Sequence, residues 1–258
     1  MSQEPKNLCR LCLQEKKLIK AHIIPEGFIR PLRVGSLAPE MHSNSPGSYP
    51  KRMPVGPYDP SILCGDCDRK MGLWDRYAQK LLLNRFSEAS VLQLGQQKVG
   101  WRIEHFDYPR LKLFFVSLLW RASISQHTFY KRISVGPFED RLRTMILNGE
   151  PGSSQDFAVI LARFGDSDIT AMLAPYREKF EGVSFIGFYL TGFLVYIKVD
   201  QRPTPSVFVD YRMRKSGPLI VLSPNLHNSP HGFAMRELGE SAMSMKRTKS
   251  GDHEDLPK

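Results

Sequence analysis

The sequence predicts an α+β fold: a small cysteine-bearing module, then a helical segment, then a mostly antiparallel sheet. Three observations lead there. Two short pairs, Cys9-Arg10-Leu11-Cys12 and Cys64-Gly65-Asp66-Cys67, contain all four cysteines of the 258 residues. Three stretches between residues 64 and 147 repeat apolar side chains every three to four positions, the period of a helix. From residue 156 onward the pattern changes to short β-branched and aromatic runs, and helices followed by a block of strands make an α+β class.

A Cys-x-x-Cys turn brings two thiolates close enough to share one ion. Two such turns complete a four-sulfur shell, so Cys9, Cys12, Cys64 and Cys67 are expected to hold one structural Zn²⁺. That shell leaves no open position for water, so any reaction must come from other residues. Two disulfides are the competing reading. A chain this long with only four cysteines, whose first residues are polar and lack the apolar core of a secretory signal, argues against the oxidising compartment they need.

The elements follow in order. Residues 17–24 form a β-branched run suited to a strand, ended by Pro25. Between 35 and 60 lie Pro39, Pro46, Pro50, Pro54, Pro57 and Pro60 with three glycines, so this stretch reads as a long mobile loop in which no regular element persists. The second cysteine pair opens a helix, with Asp66 and Asp68 in its first turn and Met71, Trp74, Ala78, Leu81 and Leu82 on its apolar face. A metal-binding knuckle, a strand, and a helix that starts on a second knuckle have the layout of a treble-clef finger.

Residues 111–130 read as a central helix, apolar on most faces. Another is expected over 137–147, with Pro137 in its first turn and Gly149 near its end. Strands are expected at 157–163, 183–190, 193–200, 207–211 and 219–222, with Thr191-Gly192 joining two of them as a hairpin. The expected organisation is a zinc-binding module over 1–90, an α+β domain over 91–230, and a disordered tail over 231–258.

Lys and Arg number 36 against 26 Asp and Glu, a net charge of +10. An excess of this size favours polyanionic partners, nucleic acid above all, though a basic surface without such a partner is the plainer alternative. The most apolar stretch, residues 113–120, lies between Lys112 and Arg121 and is far shorter than the roughly 20 residues of a membrane span. A cytoplasmic protein is expected.

Three pieces, Cys9-Arg10-Leu11-Cys12, Ala21-His22-Ile23-Ile24-Pro25 and Ile62-Leu63-Cys64-Gly65-Asp66-Cys67-Asp68-Arg69-Lys70, together resemble the HNH endonuclease superfamily, whose ββα-metal core is often stapled by zinc. The resemblance covers residues 7–85 and implies a metal-dependent hydrolase of DNA phosphodiester bonds, a class with members in bacterial defence. It makes His22 the general base and one divalent ion, Mg²⁺ or Mn²⁺, the second cofactor. Two positions where the family has Asn, or Asn or His, hold Asp59 and Asp68 here. Asp68 is then the hard oxygen ligand for the ion and Asp59 the group that orients His22. The residue before the histidine, usually acidic, is Ala21. Residues 116–125 are also similar to a segment of bacterial proteins with an HNH-like N-terminus.

Each assignment has a plainer alternative. His22 can simply hydrogen-bond a carbonyl beside the zinc, Asp68 can favour a helix N-terminus, and Asp59 can belong to a turn before Pro60. His42 is a further candidate in the loop, whereas Arg121 and His127, beside the apolar helix, are expected to form buried hydrogen bonds. Lys20, Arg30, Arg33, Lys51, Arg52, Arg69 and Lys70 are the candidate phosphate contacts. The alternative function is a noncatalytic zinc finger that binds nucleic acid or protein, and a protein partner or a homo-oligomer fits either reading.

Overall fold

In the computed structural model, residues 7–33, 35–42, 49–164 and 171–223 are described; the tail expected over 231–258 lies outside them. The architecture is α+β: a seven-stranded, mostly antiparallel sheet, helices packed on one of its faces, and a cysteine-bearing ribbon against those helices.

The ribbon pairs β1 (Ala21–His22) with a distant strand of residues 58–59. Only two of the residues in the run 17–24 are strand proper. Leu18 forms an isolated bridge to Cys64 and Ile19 N donates to Leu63 O, so the run docks on the second knuckle before it reaches its strand partner.

The stretch 35–60 differs from its expectation. It contains β2 (Glu40–His42), β3 (Lys51–Arg52) and β4 (Tyr58–Asp59). The prolines lie outside these strands, where no ladder donor is needed. β2 also pairs in parallel with β8 (Ala171–Leu173), so the segment is held from both sides.

Cys64 precedes α1 (Gly65–Gln79), whose last turn widens into a π-helical turn, Lys80–Asn84. The hairpin β5 (Ser90–Leu94) and β6 (Gln97–Ile103) follows. α2 runs Tyr108–Ile124, with the Asp107 carboxylate accepting from Arg110 N as its cap and Pro109 in its first turn. It buries residues on every face, including Lys112 and Arg121, as an apolar pattern all round the helix requires. It ends earlier than expected, at Ser125, and Thr128–Tyr130 form a separate 3₁₀ turn. α3 (Glu139–Asn148) ends at Gly149 in the left-handed region, the conformation a glycine adopts without strain.

β7 (Val159–Arg163), β9 (Tyr176–Phe180), β10 (Val183–Leu190), β11 (Phe193–Lys198) and β12 (Leu219–Leu222) complete the sheet in the order β5-β6-β12-β7-β11-β10-β9. Its one parallel pair is β12 with β7. Alternation along β7 is visible in the core: Val159 and Leu161 join the cluster on the helix side, and Ile160 and Ala162 join a second cluster on the opposite face. The strand expected at 207–211 is instead the 3₁₀ turn Ser206–Phe208. Pro203 and Pro205 remove ladder donors just before it, and the Glu181 carboxylate accepts from both Ser206 N and Oγ.

One hydrophobic cluster runs from Cys9 and Leu11 through Met71, Phe114 and Leu118 to Val195 and Val221. Among the described residues no helix is long and apolar enough to cross a membrane.

Candidate functional site

The two knuckles converge because the backbone ties them before any metal does. Leu13, at φ 56°, turns the first knuckle so that Leu13 N donates to Cys9 O and Cys9 N to Gln14 O. Arg10 N then donates to Ile62 O, and Cys64 N to Cys9 Sγ at 3.4 Å. All four Sγ atoms lie within 4.8 Å of one another; a tetrahedral shell with bonds of about 2.3 Å sets sulfurs roughly 3.8 Å apart. All four thiols are free, and Cys9, Cys64 and Cys67 are buried.

Protonation follows from this crowding. Burial raises the Cys9 pKa, but backbone N–H donors at Cys12, Cys64 and Leu11 outweigh it and bring the thiol down to about 7. Burial pushes Cys67 well up, and its three cysteine neighbours add to the rise. Four thiolates become compatible only around a cation, so the donor set suits a closed metal site. Arg143 Nη1 donates to Leu11 O at 3.1 Å, which fixes α3 against the first knuckle.

His22 and Asp59 lie in the same two-stranded ribbon but on opposite faces. The register pairs Ala21 with Asp59 and His22 with Tyr58, and directly paired residues project the same way while neighbours alternate. On one face the His22 ring stands edge-on to Tyr58, with centroids 6.1 Å apart, and Lys20 Nζ sits 5.3 Å from the same ring. On the other face are Ala21 and Asp59, both buried.

Asp59 is fully engaged there. Its Oδ1 accepts from Ser61 N and Oγ at 2.9 and 2.6 Å, and its Oδ2 from Ser125 Oγ and Gln126 N at 3.0 and 2.8 Å. Burial alone would raise its pKa; the four donors outweigh that and hold the carboxyl below the usual aspartate range. His127 belongs to the same loop, its Nδ1 accepting from Phe129 N at 3.2 Å. Burial lowers its pKa, against the opposing charge of Asp59.

The chain from Leu18 to Gly27 runs alongside α1. It starts at the bridge to Cys64 and ends where Gly27 meets Gln79, so closely that a Cβ on Gly27 would lie 2.1 Å from Gln79 Oε1. His22 falls between, its carbonyl sharing the Arg121 guanidinium with Asp75 of α1. Its half-buried ring has an Nε2 that is fully buried and makes no hydrogen bond. Asp68 forms no side-chain hydrogen bond or ion pair among the described residues, and its charge adds to the burial that raises Asp75.

Glu26, four residues past His22, was not singled out in the sequence. Its carboxyl is lowered by Arg30 Nε at 3.0 Å, with smaller contributions from His22 and Arg33. Tyr58 was also missed, because a two-residue strand in a proline-rich stretch carries no periodic signal. His42 lies on β2, its Nε2 3.6 Å from a Glu40 carboxylate oxygen.

The seven candidate phosphate contacts are carried by several elements. Lys20 shares the His22 face through Tyr58. Arg30 is paired with Glu26, Arg33 Nη2 donates to Pro54 O at 2.7 Å, and Lys51 and Arg52 are exposed on β3. Arg69 pairs with Asp66, and Lys70 Nζ donates to Leu147 O at the end of α3. Among the described residues, the four cysteines are the one group of three or more His, Cys, Asp or Glu side chains close enough to hold an ion. Compared with models of protein families, with curated proteins and with solved structures, the chain finds no match.

Proposed function

We propose that the chain is an HNH-like endonuclease that hydrolyses DNA phosphodiester bonds at the edge between β1 and α1. The observation that carries this reading is the order β1, β4, α1, with the two knuckles that bracket His22 drawn together by the cysteine cluster. In this reading the knuckles and helix form a treble clef and the bound ion is Zn²⁺, which favours a closed four-thiolate shell and has no redox chemistry of its own.

His22 takes the proton from an attacking water as the general base. Tyr58 stands edge-on to the His22 ring and limits its rotation, and Lys20, over the Tyr58 ring, attracts the scissile phosphate. Asp68 is the residue that would hold Mg²⁺ or Mn²⁺, hard cations commonly bound through one or two carboxylates plus substrate phosphate. The ion would neutralise charge building on the phosphate.

The test is nicking of supercoiled plasmid with added Mg²⁺ or Mn²⁺. His22→Ala abolishes nicking while zinc content and circular dichroism stay as in wild type; equal residual cleavage by the two proteins removes His22 from the role of base. A second reading, a noncatalytic zinc finger that binds nucleic acid, is favoured by the placement of Asp59, whose acceptors serve Ser61, Ser125 and Gln126 on the face away from His22. It expects salt-sensitive retention of DNA with no nicking.

A further inference from the structure

We propose that a cationic cavity at the C-terminal end of α1 binds the sugar-phosphate backbone of nucleic acid. An open cavity of 330 Å³ lies there, lined by Arg76, Lys80, Arg85 and Arg110 around Leu73 and Tyr77. No acidic residue lines it. Arg85 is paired with Glu88 and Arg110 with Asp107, both outside the lining, whereas Arg76 and Lys80 form no ion pair among the described residues.

The cations are gathered by three elements. Arg76 on α1 and Lys80, the first residue of the widened turn that continues it, are four apart on the stripe that begins at Arg69 and passes the exposed Leu73. The widened turn Lys80–Asn84, in which Arg85 N reaches back to Lys80 O, brings Arg85 round to the same opening. Arg110, in the first turn of α2, closes the far wall with its guanidinium 6.0 Å from the centre of the Tyr77 ring. Asp107 N donates to the Tyr77 hydroxyl, which fixes that ring in the wall.

The chemistry selects the occupant. Four cations, two of them outside any ion pair among the described residues, attract a doubly charged or repeating anion, and a volume near the lower end of ligand pockets, about 300–1,000 Å³, suits one nucleotide unit. An aromatic and aliphatic wall under a cationic rim is the surface single-stranded nucleic acid uses, with bases on the apolar part and phosphates on the rim. The stripe from Arg69 leads the strand from the cysteine cluster to the cavity along the flank of α1 next to the Asp68 face. This proposal rests on the nucleic-acid part of the reading above, not on cleavage.

The experiment is fluorescence anisotropy of a labelled single-stranded DNA oligonucleotide without added divalent ion, repeated over a salt series. Arg76→Ala with Lys80→Ala is compared with wild type and with Lys131→Ala/Arg132→Ala, which removes the same charge from exposed residues elsewhere. Circular dichroism and zinc content verify that each variant folds. Loss of two phosphate contacts weakens binding ~10-fold or more near 0.1 M salt and flattens the slope of log K against log salt by about 1.4. The control pair stays within about twofold of wild type. Equal weakening by both pairs, no weakening by the cavity pair, or no binding by wild type at low salt overturns the proposal. His22-dependent nicking that is indifferent to Arg76 and Lys80 overturns the cavity alone, and cavity-dependent binding without nicking overturns cleavage alone.

Discussion

Arg121 grips both carboxylate oxygens of Asp75, at 3.0 and 2.8 Å, and its Nη1 also donates to the carbonyl of His22 at 2.9 Å. One buried guanidinium thus joins the last turn of α2, the C-terminal half of α1 and the strand that carries the candidate base. Ser117 O accepts from its Nε, so the fork is fixed on its own helix as well.

Replacing Arg121 by Met removes the partner of a buried carboxylate and is expected to cost about 3–5 kcal/mol in urea unfolding at pH 7. Burial already pushes the Asp75 carboxyl up, and Arg121 opposes it. Without the arginine the folded-state pKa rises further above the unfolded one. The variant therefore recovers part of its lost stability as pH falls and Asp75 takes up a proton. Arg121→Lys keeps the charge without the two-point fork and should fall between.

Metal analysis of reduced, folded protein is expected to give one zinc per chain. Cys64→Ser should lower that stoichiometry and expose the core beneath the knuckles, where Leu11, Ile62 and Leu63 are almost fully buried. Binding free energies on the order of 10 kcal/mol accompany such four-thiolate sites. A strong chelator should accordingly produce a large drop in the thermal midpoint, checked by differential scanning calorimetry.

Asp59→Asn tests the loop on the buried face of the ribbon. Asparagine keeps one acceptor oxygen and turns the other into an N–H₂ group that faces donors, and leaving a buried donor unsatisfied costs roughly 1–3 kcal/mol. Because the folded-state pKa of Asp59 lies below its unfolded value, its contribution is complete above about pH 3.9 and is lost as pH falls through the folded value. The stability gap between wild type and variant should shrink on acidification below that point.

Lys112 gives a pH signature of the opposite kind. Burial pulls its pKa down to about 7, and Nζ donates to the carbonyls of Asp156 and Phe157 at 2.6 Å each. Between about pH 7 and the unfolded lysine value near 10.4 the unfolded chain binds more protons, so stability from this group rises with pH, by at most ~1.4 kcal/mol per unit. Subtracting the profile of Lys112→Met should reveal that slope between pH 7.5 and 9.5.

Much of the helical architecture was legible because its signals are local. The acidic first turn after Cys64 and the apolar faces of α1 and α3 can be read within a few residues. α2 starts three residues before its apolar pattern does, because the Asp107 cap and Pro109 in its first turn, rather than apolar residues, set its beginning. β5 went unread because it has no buried face, and β9 because its half-buried Tyr176, Glu178 and Phe180 alternate with charged residues. Val91 and Leu94 of β5 are exposed, and β9 is an edge strand carrying Arg177, Glu178 and Lys179, charges of the kind that protect a sheet edge.

The candidate site divides the same way. Cysteine spacing told where the sulfurs meet, since two turns of fixed geometry need only one long-range encounter. The face on which Asp59 stands depends on a register between residues 38 positions apart, which no spacing encodes. The burial expected of Arg121 could be read from its apolar helix; its partners, Asp75 and the carbonyl of His22, could not.

The parallel pairing of β2 with β8 has a practical corollary. With Thr191 Oγ1 donating to Phe28 O and Arg143 to Leu11 O, it stitches the first ninety residues to the rest at three separated points. A fragment ending at residue 90 would leave β2 without one neighbour and the Phe28 ring without its stacking partner Phe114. The cysteine-bearing piece is therefore a poor choice for excision and transplantation, and biochemical work should keep the whole polypeptide together.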